Sequence, residues 1–174
     1  MTQIRLRGIT SVVLVAMFCV APIAGAQKKT TPAKMKAGAI KVILIDSNEI
    51  KLPAEFQVAL YEDVIEQLRK KGGIPKVYRD GDRNADNAAD LVVLRTTLRG
   101  FKKGNEELRQ VTTVAGATSI TVHCAFTDKD GKTLLEQDLQ GNVRFFGGNL
   151  RATYDFAKKT AQLTHENFSP TAGT

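Results

Sequence analysis

Tryptophan is absent from this 174-residue chain, and there are only two Cys and two His. A structural or catalytic zinc site draws three or four ligands mostly from Cys and His, so its usual composition is out of reach here. No P-loop, no G-x-G-x-x-G and no G-x-S-x-G occurs, which removes the common nucleotide-cradling and serine-hydrolase signatures. Acidic residues are also the minority, 18 against 25 Lys and Arg, for a net charge of +7. Hydrophobic residues make up 43% and charged residues 25%. That balance belongs to a globular domain and excludes a disordered tail, a collagen-like fibre and a multi-span membrane protein.

What is present begins with an export signal. Arg5 and Arg7 precede an uncharged apolar run, Ile9 to Val20, broken by Pro22 and followed by Ala24-Gly25-Ala26. A basic start, a short apolar core and an A-x-A site describe a secretory signal peptide over residues 1–26, cleaved after Ala26. The run is shorter than the ~20 residues a membrane-spanning helix needs. Cys19 follows Phe18, with Ala16 three places before it, so it does not sit in a lipobox and a lipoprotein is not expected. Only Cys124 then remains, and no internal disulfide can form. The roughly 150 residues left can bury about 70% of the surface their unfolded chain exposes, enough for one core. Periplasmic or secreted location is the expectation.

Residues 27–39 (QKKTTPAKMKAGA) contain four Lys and no period, and read as a flexible basic tail that could touch an anionic membrane surface. Ile40 to Asp46 reads as a buried strand. A helix follows Pro53 and runs to Lys71, with Phe56, Leu60, Val64 and Leu68 four apart, basic residues at its end and Gly72 beyond it. Lys76 to Arg79 is a short strand, and Asp80 to Ala89 a polar loop. Leu91 to Phe101, Ser119 to Thr127 and Lys132 to Phe146 alternate as strands, the last two joined by an Asp-Lys-Asp-Gly turn at 128–131. Asn149 is placed to cap a second helix to about Phe168, with Leu150, Tyr154, Ala157, Ala161 and Phe168 inward. Residues 169–174 should fray.

The order β-α-β-β-β-β-α gives an α+β class: a mixed, mostly antiparallel sheet with both helices on one face, in a single domain over 40–168. Val92, Leu94, Leu98, Ile120, Val122, Cys124 and Phe126 would face the helices. Arg95, Arg99, Thr121, His123, Glu136, Asp138 and Arg144 would line the opposite, open face. From this face, Arg95, Arg99, His123 and Arg144 are the candidate partner-binding residues.

His123 and Cys124 are neighbours, yet successive strand residues point to opposite faces, so they cannot form a nucleophile and base. Asp80, Asp82, Asn84 and Asp86 alternate as calcium-loop ligands do. Counted from Asp80, the sixth and twelfth positions are Ala85 and Leu91; from Asp82, Asn87 and Val93. An EF-hand needs Gly and Glu there, so at most an irregular calcium loop is a second candidate site, against a solvated loop of turn formers. No catalytic residue, regular metal site or cofactor is expected. Gly147-Gly148-Asn149 reads as a strand-to-helix turn, and Asn167-Phe168-Ser169 as a sequon. An RNA-recognition sheet stacks bases on central aromatics, which this face lacks, so nucleic acid is not an expected partner.

The segments ADLVVLRTTLRGFKKGN (Ala89 to Asn105), VAGATSITVHCAFTDKDGKTLLEQDLQGNV (Val114 to Val143), FFGG and the helix end QLRKKGG together resemble the bacterial exported family called domain of unknown function 4410. The resemblance covers most of the chain after the signal. It implies an exported domain, often a lipoprotein in that family, with no assigned reaction. The element order is also similar to the N-terminal domain of the TolB translocation protein and to the curli secretion lipoprotein, domains that bind other envelope proteins. Together these expectations describe a non-catalytic binding or assembly module of the periplasm or envelope, whose partner is another envelope protein. The alternative is a small-ligand carrier or sensor with a groove at Val111 to Ala117. An enzyme is not expected, since His123 and scattered carboxylates are its only acid–base groups. Oligomeric state is left open.

Overall fold

The computed structural model describes residues 33–105, 107–108, 116–143 and 148–171. The expected signal peptide, the first part of the expected basic tail, residues 111–115 of the expected groove and residues 144–147 lie outside them. The elements run β1 (Met35–Ala37), β2 (Ala39–Val42), α1 (Ala54–Lys71), β3 (Lys76–Tyr78), a 3-10 turn (Arg83–Asn87), β4 (Leu91–Lys102), β5 (Thr118–Asp128), β6 (Thr133–Val143), α2 (Arg151–Asn167) and β7 (Phe168–Pro170). Five strands form one sheet in the order β3-β2-β4-β5-β6. The β2/β3 and β2/β4 pairs are parallel, and β4/β5 and β5/β6 antiparallel. This is the mixed, mostly antiparallel α+β sheet that the strand order implies.

The core lies between this sheet and both helices. Ile40, Val42, Val92, Leu94, Leu98, Ile120, Val122, Cys124 and Phe126 are buried on one side of the sheet. Phe56, Leu60, Val64 and Leu68 meet them from α1. Glu55 in the first turn of α1 and Arg69, Lys70 and Lys71 in the last complement its dipole. The helix ends at Lys71 as the pattern places it, but Gly72 is not its left-handed residue. Gly72 keeps a helical φ of −71°, and the left-handed turn falls on Gly73 at +74°.

The structure corrects four expectations. The tail is not free up to residue 39: β1 pairs in parallel with β7, Met35 opposite Phe168. Lys34 Nζ also donates to the His165 carbonyl at 2.6 Å, occupying one of the orphan acceptors at the end of α2. The same pairing orders Ser169 and Pro170, where fraying is expected from sequence. Phe168 is buried as a strand residue beyond the helix, its ring 5.4 Å from that of Phe126.

Asn149 does not cap α2. Leu150 holds that position, and Asn149 Oδ1 instead accepts the Thr118 hydroxyl. Nor do Leu150 and Tyr154 face inward; they are 42% and 43% exposed. The buried stripe is Ala152, Thr153, Phe156, Ala157, Thr160, Ala161, Leu163 and Thr164. Threonine can be buried here because its hydroxyl is satisfied locally: Thr160 donates to the Phe156 carbonyl at 3.1 Å and Thr164 to that of Thr160 at 2.8 Å.

Candidate functional site

The side of the sheet away from the helices is divided in two. Over β2, β3 and the start of β4, residues 80–90 fold back onto it. Ala85 is fully buried against Ala39 and Leu91, with Tyr78, Ala88 and Val93 beside them. Lys41 reaches Asp86 at 3.6 Å. The Tyr61 hydroxyl ties the start of this segment to α1, accepting Asp80 N–H at 2.7 Å. The polar loop is therefore anchored through Ala85, while Asp80, Arg83, Asn84, Asp86 and Asn87 around it are exposed.

That packing uses up the acidic side chains separately. Asp80 Oδ2 accepts Leu44 N–H at 3.3 Å. Asp82 caps the 3-10 turn by accepting Asn84 N–H and Nδ2–H, both at 3.0 Å. Asp86 pairs with Lys41. Among the described residues no group of three His, Cys, Asp or Glu side chains is arranged to hold a metal ion. The alternation of Asp80, Asp82, Asn84 and Asp86 reflects turn chemistry rather than convergence.

The other half, β4, β5 and β6, is open and carries the remaining candidates. Register places them in cross-strand rows. Arg95 sits opposite Ala125, and Ala125 opposite Glu136. Thr97 sits opposite His123, and His123 opposite Asp138. Arg99 lies at the irregularity between Leu98 and Gly100. Arg95, Arg99, Glu136 and Asp138 are all exposed. The structure thus brings Arg95, Arg99 and His123 onto one surface, while Arg144 lies outside the described residues. Glu136 and Asp138 are the part of the site that a basic reading of the face leaves out. Strand alternation already puts them there.

His123 Nδ1 lies 2.6 Å from Asp138 Oδ1. A carboxylate can only accept, so Nδ1 donates. The pair fixes the ring across two strands and supplies one positioned imidazole on an otherwise charged face. Its neighbour Cys124 points the other way, into the core, and is fully buried. Burial pushes the Cys124 thiol up from 9.0 to about 12. In native protein Cys124 should resist thiol reagents at pH 8 and label fully in denaturant, and fast native labelling would contradict this placement. The raised value favours the folded state below pH 9, and the advantage is lost as pH rises from 9 towards 12. Cys124→Ala should remove that part of the alkaline slope in thermal unfolding.

The sequence reading did not anticipate a surface cleft of about 580 Å³ lined by Gly38, Lys76, Tyr78, Asn84, Asn87 and Thr171, among others. It exists because β7 brings Thr171 beside β3 and the 3-10 turn, a juxtaposition with no local signal.

No protein-family model matches the chain, and no curated protein does. The resemblance to domain of unknown function 4410 therefore stands on the quoted segments alone. Among solved structures, the chain is similar to a dodecamer of a single-residue variant of PelC from Paraburkholderia phytofirmans. Identity is 15%, the TM-score 0.55, and the match covers 79% of this chain and 92% of that one. A second PelC dodecamer from the same organism matches at 17% identity and TM-score 0.53, over 75% and 91%. A Xanthomonas campestris protein of family DUF330 matches at 13% identity and TM-score 0.45, over 76% and 88%. At these identities the PelC likeness establishes a shared fold. Among the described residues no helix is long and apolar enough to cross a membrane.

Proposed function

We propose that this chain is an exported, non-catalytic binding or assembly module of the bacterial envelope, working through the open β4–β6 face. One observation carries the reading. Arg95, Arg99 and Glu136 stand exposed on a three-stranded surface, while the rest of the sheet is covered by helices on one side and by residues 80–90 on the other. Charges that have no ion-pair partner among the described residues can be satisfied by a second surface, and they give specificity and register more than raw affinity. The PelC structures of the same fold are dodecamers, which supports assembly as a use of this fold. The signal peptide and the resemblance to an exported family support the compartment. The basic tail supports an additional peripheral contact with anionic lipid.

The test is crosslinking in cells of the tagged protein, with fractionation and mass spectrometry. A reproducible envelope-protein adduct that disappears in Arg95→Glu is the expected result. An adduct unchanged by Arg95→Glu and Arg99→Glu would place the binding surface elsewhere. The cleft by Tyr78, Asn84 and Asn87 favours the second reading, a small-ligand carrier or sensor. A ligand that raises the melting temperature of the native protein but not of Tyr78→Ala would support it.

A further inference from the structure

Among the described residues, the charges on the open face are not merely mixed; they are sorted by strand. Arg95 and Arg99 lie on β4, Glu136 and Asp138 on β6, and β5 between them presents Thr121, His123 and Ala125. Within the central row, Arg95 and Glu136 flank Ala125, the smallest side chain of the three. Neither forms an ion pair among the described residues. We infer that this face pairs with the same face of a second copy of the chain, about a two-fold axis running along β5. The inference rests on the reading of this face as an assembly surface and names its partner.

The geometry follows from the register. A two-fold parallel to the strands and above β5 exchanges β4 and β6 between copies but leaves position along the strands unchanged. Arg95 of one copy then stands over Glu136 of the second, and Glu136 over Arg95. In the next row, Thr97 faces Asp138 of the second copy, and the two His123 rings meet on the axis, each held to its own strand by Asp138. Such an isologous arrangement satisfies every contact twice. A sheet-to-sheet gap of about 10 Å is within reach of an Arg and a Glu extending towards each other. The raised segment 80–90 does not block the approach. It sits on the β2 and β3 side, which the same rotation carries outside the β6 edge of the second copy. The opposite choice, a rotation perpendicular to the strands, would lay β4 over β4 and set Arg95 towards basic residues.

Three strands about 4.8 Å apart and about 30 Å long bring on the order of 500 Å² of each face together. That is at the small end for specific complexes, so the dimer should be reversible and concentration-dependent. Sedimentation velocity of the purified protein at low salt should show it. Arg95→Glu and Glu136→Arg should each weaken self-association at least ~10-fold, because each sets like charges together twice. Mixed one to one, the two variants should recover a dimer. In the Arg95→Glu copy both flanking positions of the central row are acidic, and in the Glu136→Arg copy both are basic, so all facing pairs are again opposite. Misfolded variants could not produce that recovery. Wild-type protein that stays monomeric up to ~1 mM, a concentration at which even weak pairing registers, overturns the self-pairing. So does a dimer indifferent to both substitutions. A monomer whose envelope crosslink is still lost in Arg95→Glu overturns the self-pairing alone and leaves the module reading standing.

Discussion

Phe156→Ala should destabilise the domain by about 4 kcal/mol. Phe156 is fully buried on α2, where it meets β6 and the sheet face. Removing the ring leaves a cavity that neighbours can close only partly, since they are held by two elements at once. Domains of this size have about 5–15 kcal/mol of total stability, so the loss is a large share. The melting temperature should fall by about 10 °C or more. Thermal unfolding followed by circular dichroism reads it directly. A loss under ~1 kcal/mol would mean that α2 does not seat on β6 as described.

Gly141→Ala is the second large effect, and it works through crowding rather than a void. A Cβ at Gly141 would lie 2.1 Å from the Ala152 carbonyl oxygen and 2.7 Å from Phe156 Cβ. Both are parts of α2 that cannot rotate away, so the helix must lift. Its attachment to the strand edge would be lost with it. Lys159 Nζ donates to the Gln140 carbonyl at 2.6 Å, and Asn142 N–H donates to Asp155 Oδ2 at 3.0 Å, on either side of Gly141. Lys159 and Asp155 are themselves paired at 2.8 Å. The expected cost is about 3 kcal/mol, against about 1 kcal/mol for Gly131→Ala. Gly131 has a φ of +86° but open space around its missing Cβ. Equal costs for the two substitutions would show that α2 does not approach β6 this closely.

Those two contacts also explain what the β6 edge can do. Side chains of α2 occupy the outward backbone groups at Gln140 and Asn142, which protects that half of the edge from strand addition.

Much of the candidate site was legible before the structure. Strand alternation assigned Arg95, Arg99, His123, Glu136 and Asp138 to one surface, because a strand's period of two holds wherever one face is buried. The same rule separated His123 from Cys124. The α1 face was legible because Phe, Leu, Val and Leu recur at a helical period. The α2 face was not, because its stripe is largely Ala and Thr. Leu150 and Tyr154 look more hydrophobic but fall on the wrong side of a helix whose phase is fixed by α1 and β6. The alternating acids of the 80–90 segment carried no information on whether they converge.

Local pattern alone specifies the α+β class, the principal strands of the sheet and the inward face of α1. All of these depend on periodicity and on turns that short chain segments encode. Long-range packing settles the rest: that β1 pairs with β7, that residues 80–90 cover half of the outer face, and that α2 clasps the edge of β6 at Gly141. Each joins segments distant in sequence through backbone pairing, burial of a single Ala or the absence of one Cβ, and none of these leaves a period to read.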